Sequence, residues 1–317
     1  MKEDEALRAL LDALIDYAGL FPPATLDVPA AVREYARIRR SPEAWMLGRF
    51  IAPASRLEEI AAETAAVADS GDTPWRLSVI LPAGSEDHAP DAAAVASVKA
   101  IATDRSETIT VEAIETRIPP SLLALGDARA IRDHAAAFEK RLAEAGIPNL
   151  AIFFEGGECR LAQATVEGLA ERRSEGAATG FKLRCGGPRP EDVPPIECVA
   201  DVIEACFAHH VPLKLTAGLH HAIRSEVGAA GAWHHGFLNV LGAGILAASG
   251  RSHRPELLAC LLDQSGSDFR LDGAFAWRDR AATAAEVAAV RRTLMVGFGS
   301  CSFAEPRDEL KALGLLP

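Results

Sequence analysis

The sequence predicts a single α/β domain over residues 1–317, a closed (β/α)8 or TIM barrel with a long insertion between its last two strands. Three observations predict it. Short apolar segments alternate with alanine-rich segments of helical period, the pattern of right-handed βαβ units and a parallel sheet. Eight segments of the first kind can be found, the number that closes a barrel. Two of them also repeat each other. Phe181-Lys-Leu-Arg-Cys-Gly-Gly187 and Leu213-Lys-Leu-Thr-Ala-Gly-Leu219 share the pattern apolar-Lys-Leu-x-x-Gly, with lysines one βα unit apart.

The strand candidates, in order, are Tyr17–Phe21 (the weakest), the neighbourhood of Ile51, Arg76–Leu81, Thr108–Ile114, Leu150–Phe154, Gly180–Arg184, Pro212–Thr216 and Leu294–Phe298. Each is short and mostly apolar, as a strand between a barrel interior and a shell of helices should be. Helical periodicity marks 28–40, 56–69, 90–103, 127–145, 162–174, 196–209 and 283–293. Asp27 and Ser55 stand where N-caps belong, and Gly146 and Gly176 where helices should stop. Residues 219–293 take the place of one short connection. They hold two histidine pairs, a glycine-rich apolar stretch at 236–248 and a hairpin-like Asp268–Trp277. An insertion that leaves a barrel strand at its C-terminal end lies at the catalytic face, so a lid and a subunit contact are both open.

Composition narrows the function classes. The 317 residues are 49% hydrophobic with a formal charge of −11, and no basic stripe interleaved with aromatics suggests nucleic acid. No apolar run is long enough for a membrane span. The N-terminus reads as an acidic amphipathic segment and not as a signal peptide. The six cysteines form no CxxC pair, and a reducing cytoplasm is the expected compartment. The expected partner is a small anionic molecule, with no cofactor and no metal in the expected site. A homo-oligomer is compatible with such a barrel.

Lysine in the middle of a barrel strand needs a reason, because it is rarely buried. Side chains alternate along a strand, so Lys182 and Arg184 point the same way, as do Lys214 and Thr216. If that way is inward, three cations converge. Desolvation and repulsion would then lower a lysine pKa and free an amine for attack on a carbonyl. The same cluster could simply bind a carboxylate or phosphate, and lysines facing the helices could snorkel. Glu112 and Glu155 fall on or just after strands, as proton shuttles or as salt-bridge partners. Glu115, one step further out, reads as solvated. Gly297-Phe-Gly-Ser-Cys-Ser302 is expected to follow the last strand as a phosphate cradle, which Gly186, Gly187 and Gly218 could complete. His220-His221 and His234-His235 lack H-x-H or H-E-x-x-H spacing, so anion binding or loop packing is the ordinary role and a metal the less ordinary one.

These strand ends resemble, remotely, the deoxyribose-phosphate aldolase type of class I aldolase. Leu14-Ile-Asp-Tyr-Ala-Gly-Leu-Phe-Pro-Pro-Ala-Thr25 is similar to that family's opening strand and proline-containing turn. Leu150-Ala-Ile-Phe-Phe-Glu-Gly-Gly-Glu158 is similar to its fifth strand. The two lysine motifs are similar to the strand bearing the Schiff-base lysine and to the strand after it. Phe298-Gly-Ser-Cys-Ser302 with Leu310-Lys-Ala-Leu-Gly314 looks like the phosphate-binding last strand and final helix. The resemblance implies that Lys182 forms the imine and Lys214 tunes it, with Glu112 as the acidic relay and Gly186, Gly218, Gly299 and Ser302 lining the anion site. The residue reading adds Glu155 to the catalytic candidates and Asp16, Arg184, Gly187, Thr216, His220 and Ser300 to the candidate substrate-binding residues. Three features depart from the family pattern. Arg184 replaces a small hydroxyl residue, His220 stands near the place of a phosphate-binding arginine, and the 219–293 insert has no counterpart. The expected activity is therefore an aldolase-like lyase on a small phosphorylated or carboxylated carbonyl compound. The alternatives are a non-covalent or metal-assisted isomerase or hydrolase using Glu155 with His220 or His234, and a ligand-binding barrel without turnover.

Overall fold

Eight parallel strands close on themselves in the computed structural model, which describes residues 5–68, 73–82, 90–104, 107–147, 150–156, 161–227 and 232–317. They are β1 (Ile15–Tyr17), β2 (Leu47–Pro53), β3 (Trp75–Ile80), β4 (Ile109–Arg117), β5 (Ala151–Glu155), β6 (Thr179–Arg184), β7 (Leu213–Thr216) and β8 (Met295–Ser300). Each pairs with the next, and β8 pairs with β1. The chain is thus a TIM barrel. Tyr17–Phe21 is displaced from the first strand. The strand ends at Tyr17, and a turn closed by the Phe21 N–H on the Ala18 carbonyl follows. β4 and β8 run further than expected, to Arg117 and Ser300.

Alternation separates two environments. In β5, β6 and β7 the residues Ile152, Phe154, Phe181, Leu183, Leu213 and Leu215 join the apolar core under the helices. Their neighbours Phe153, Glu155, Lys182 and Lys214 are also buried but stand outside that core. They fill the barrel interior, where branched aliphatics usually pack. Fully burying each Phe or Leu of the outer layer contributes about 1.5–3 kcal/mol, so the helix layer holds the barrel closed around a polar axis.

Helices Val28–Arg39, Leu57–Val67, Ala92–Asp104, Ala128–Glu144, Ala162–Ser174, Ile196–Ala208 and Ala284–Thr293 follow the sequence periodicity. Asp27 caps the first of these, accepting the Ala30 N–H at 2.8 Å. Ser55 caps nothing. A 3-10 turn, Ala54–Arg56, runs straight into Leu57 with no side-chain cap.

The insert begins with the hairpin Ser225–Val227 and Ala232–His234 and continues with helix Phe237–Ala248, which is buried from Phe237 to Leu246. This helix lies against the outer wall. Phe237 stacks on Phe298 of β8 at 5.2 Å, and a Cβ on Gly244 would strike Met295. Helix Arg254–Leu262 and a three-stranded antiparallel sheet of Phe269–Leu271, Ala274–Trp277 and Arg280–Thr283 follow. The apolar 236–248 stretch is therefore a wall helix. Among the described residues no helix is long and apolar enough to cross a membrane. Cys185, Cys206, Cys260 and Cys301 carry free thiols, whereas Cys198 is disulfide-bonded, which the reducing-compartment reading does not anticipate. Cys159 lies outside the described residues.

Arg291 fastens the chain ends. Its buried guanidinium donates to the carbonyls of Leu10, Asp12 and Met295, and burial pushes its pKa down to about 10. Arg291→Met would strand these buried acceptors. It should cost about 3 kcal/mol or more, read as a fall in thermal midpoint. An unchanged midpoint would show that the clamp contributes nothing.

Candidate active site

Register brings the two lysines together. Lys182 and Lys214 are direct partners across β6 and β7, and Glu155 of β5 is the partner of Lys182. Both ammonium groups point inward. Lys182 is 5% exposed and Lys214 1%. Snorkelling toward the helices is thus excluded.

Carboxylates surround them. Lys182 Nζ lies 2.8 Å from Glu115 Oε2 and 2.9 Å from Glu155 Oε2. Lys214 Nζ lies 2.6 Å from Glu115 Oε1 and donates also to Asp16 Oδ2. Ser78 Oγ donates to Glu115 Oε1 at 2.6 Å. Asp16 is fixed from the other side by the Arg49 backbone N–H at 2.6 Å. Arg117 Nε donates to Glu155 Oε1 at 2.9 Å, and Arg184 Nη1 stands 3.8 Å from the same oxygen. The order Asp16, Lys214, Glu115, Lys182, Glu155 is therefore an unbroken alternation of charge.

That order corrects two expectations. Glu115, read as solvated, is fully buried between the lysines. Glu112, expected as the acidic relay, pairs instead with Arg49 at 3.0 Å and Arg76 at 2.8 Å. The cause is a break in register. Leu77 pairs with Val111 but Ser78 with Ala113, so Glu112 is skipped as an extra residue and the alternation is reset behind it. Ala113, Glu115 and Arg117 then share the inward face.

The lysine electrostatics also differ from expectation. Repulsion between cations was expected to lower an amine pKa. Burial does disfavour the charged Lys182, but the ion pairs to Glu115 and Glu155 outweigh it and hold its pKa above the usual lysine range. Burial alone would likewise push the Glu115 carboxyl up. Lys214 and Lys182 reverse this and hold it far below the usual carboxylate range. At neutral pH both groups are charged.

The expected anion cradle is largely used by the chain itself. Gly299 and Ser300 belong to β8 and do not follow it. Ser300 Oγ donates to the Ser302 carbonyl and accepts the Ser302 N–H, and Ser302 Oγ accepts the Glu305 N–H at the start of helix Ala304–Ala312. Gly186 and Gly218 pack backbone to backbone. A Cβ on Gly218 would lie 2.7 Å from Gly186 Cα, and its φ of +71° already favours glycine. Gly187 lies against Asp192, which Arg189 pairs. Gly218→Val should cost about 1–3 kcal/mol from backbone strain alone and separate the β6 and β7 loops. Thermal denaturation that matches the parent would remove the apposition as a structural element. Gly299 faces the interior, where a Cβ would meet Ile51 at 2.8 Å and Thr216 Oγ1 at 3.4 Å. Thr216 therefore lines the same interior, above Lys214.

The histidines lie apart from the lysines' ion pairs. His220 Nδ1 is 3.0 Å from Glu305 Oε2 and His221 pairs with Glu309, both on the last helix. Burial and the neighbouring His221 and His220 hold His234 below the usual histidine range. His235 is buried on the Pro194 carbonyl at 2.8 Å. Among the described residues no group of three or more His, Cys, Asp and Glu side chains is arranged to hold a metal. Gly157 and Glu158 lie outside the described residues.

Comparison with known proteins is sparse. No protein-family model matches the chain, and no curated protein matches it. Among solved structures it is similar to catalytic-site mutants of active domain 2 of a chitinase from Pyrococcus furiosus. That likeness has 14% identity over 69% of this chain and 80% of that one, and a TM-score of 0.40. The catalytic domain of hyperthermophilic chitinase from the same organism gives 14% identity, 70% and 81% coverage and a TM-score of 0.39. Likeness at this level carries no argument about chemistry. The fold rests on this chain's own closed strand order.

Proposed function

We propose that the chain is an enzyme of the class I aldolase type, in which Lys182 condenses with the carbonyl of a small anionic substrate. The observation that carries this reading is the Glu115 bridge, one buried carboxylate held by two inward lysines at equal height on adjacent strands. The serial order of motifs that resembles deoxyribose-phosphate aldolase supports it, with Glu115 taking the relay position in place of Glu112.

A charged amine does not attack a carbonyl, so in this reading Lys182 first gives a proton to Glu155. Its nitrogen then bonds the carbonyl carbon, and the C=O pair moves to oxygen. The nitrogen gives up a second proton, and the oxygen leaves as water carrying both. Ammonium plus carbonyl gives iminium plus one water, with no other reactant. The iminium then draws in the electrons of the neighbouring carbon–carbon bond as a β-hydroxyl yields its proton to a carboxylate. An aldehyde leaves, and an enamine remains. Lys214 keeps Glu115 ionised and holds both Glu115 and Asp16 in position.

The raised Lys182 pKa makes a test. With acetaldehyde, a neutral probe, reductive labelling of Lys182 should rise steadily from about pH 7 to about pH 10. A flat profile contradicts the assignment of Lys182 as the attacking amine. The same ion pairs favour a second reading, in which Lys182 stays charged and stabilises an enolate while Glu155 moves the proton. Turnover with no covalent adduct decides for that one.

A further inference from the structure

Arg117 was not singled out from the sequence, whereas Arg184 was read as a substrate-site cation. Together they form the rim above the lysines. Arg117 ends β4 and Arg184 ends β6, on either side of Glu155 at the end of β5. Both share the inward face with the ionic axis, yet their side chains are 72% and 41% exposed, while Glu155 is 6% exposed. They rise from the buried carboxylate into the mouth. Glu155 joins the two levels, with one oxygen against Lys182 and the other against the arginines.

From this arrangement we infer that the substrate is a 2-oxo acid, whose carboxylate binds Arg117 and Arg184 while its carbonyl, one bond away, reaches Lys182. The inference rests on the Schiff-base reading above and narrows it. Glu155 already shows the geometry, because a single carboxylate spans the ammonium and the guanidiniums. A carboxylate directly bonded to the carbonyl carbon has the same reach. A phosphate several bonds from the carbonyl does not. Guanidinium suits a planar carboxylate, which it can hold through two parallel N–H donors.

This substrate also resolves the charge on Lys182. The incoming carboxylate takes the guanidinium donors from Glu155, and Glu155 becomes the acceptor for a Lys182 proton. Total charge is conserved. One proton moves from nitrogen to oxygen, the amine becomes neutral, and the positive rim keeps one carboxylate, now the substrate's. The nitrogen lone pair then bonds the keto carbon, and water leaves as described. A neutral carbonyl brings no carboxylate to make the exchange.

The test uses the full chain and separates the inference from the reading beneath it. Binding of pyruvate, and of lactate, which has no carbonyl and cannot form an imine, is measured by calorimetry for the parent, Arg117→Met and Arg184→Met. Both acids should bind the parent, and each variant should weaken them about 10- to 100-fold, the worth of a charged hydrogen bond. Lactate binding that is absent, or unchanged in both variants, overturns the carboxylate site whatever the covalent chemistry. Borohydride trapping on the parent is run beside it at neutral pH. Pyruvate should label Lys182 at least about tenfold faster than acetone. Labelling that favours acetone, or glyceraldehyde 3-phosphate, over pyruvate overturns the substrate class and leaves Lys182 as the nucleophile. Labelling by none of the three, with lactate binding intact, upholds the carboxylate site and removes the imine.

Discussion

Lys182→Met is expected to abolish reductive labelling and to lower turnover of any accepted substrate by about four orders of magnitude or more, the usual consequence of removing a covalent nucleophile. The fold should survive. Glu155 keeps Arg117, and Glu115 keeps Lys214 and Ser78. Breaking a buried pair still costs about 3 kcal/mol, so circular dichroism and a thermal midpoint must accompany the activity measurement. Lys182→Arg separates the two roles of the residue. It keeps the positive charge between the carboxylates and removes the amine, so stability should largely return while labelling stays at zero. Turnover that also returns with arginine would show that the charge, and not the nitrogen lone pair, does the chemistry.

Lys214→Met should give the largest loss of stability, about 3–5 kcal/mol at neutral pH. Lys214 is the more deeply buried lysine, and its removal leaves Asp16 and Glu115 facing each other with one cation fewer. The pH dependence follows from Glu115. Its folded-state pKa lies below the unfolded value of about 4.3. The stability it supplies is therefore complete above about pH 5 and is lost as pH falls through the folded pKa. Lys182 works in the opposite sense. Its folded pKa is raised, so its contribution is complete below about pH 10 and is lost as pH rises further. In Lys214→Met, burial acts on Glu115 with less opposition, and the carboxyl takes up its proton at higher pH. The difference between variant and parent should be greatest near neutrality and shrink on acidification. A difference that grows toward low pH would place the lost stability elsewhere than at Glu115.

Much of this arrangement was legible because barrels make alternation strict. The inward direction of Lys182 and Lys214 follows from Leu183 and Leu215 on their other side, and their equal height follows from the repeated motif. What alternation could not supply is a bulge. Counted without one, Glu112 and Glu115 fall on opposite faces, and the inward place goes to the wrong carboxylate. The skipped residue between Val111 and Ala113 is set by pairing with β3, and nothing in the local sequence announces it. The place of the 236–248 stretch stayed open between a lid and a subunit contact for a related reason: its partner on the barrel wall, Phe298, is distant in sequence. The electrostatics failed most plainly. Cations were counted on two strands, while Glu115, which with Glu155 reverses the effect of burial on Lys182, arrives from a strand distant in the chain.

The central claim is that Lys182 forms a covalent imine, and intact-mass measurement after borohydride reduction with pyruvate tests it most directly. The account predicts one adduct per chain whose mass equals pyruvate joined to lysine with loss of water and gain of two hydrogens, mapped by digestion to the peptide containing Lys182 and absent from Lys182→Met. An adduct on Lys214, or on surface lysines with Lys182 unmodified, would contradict it.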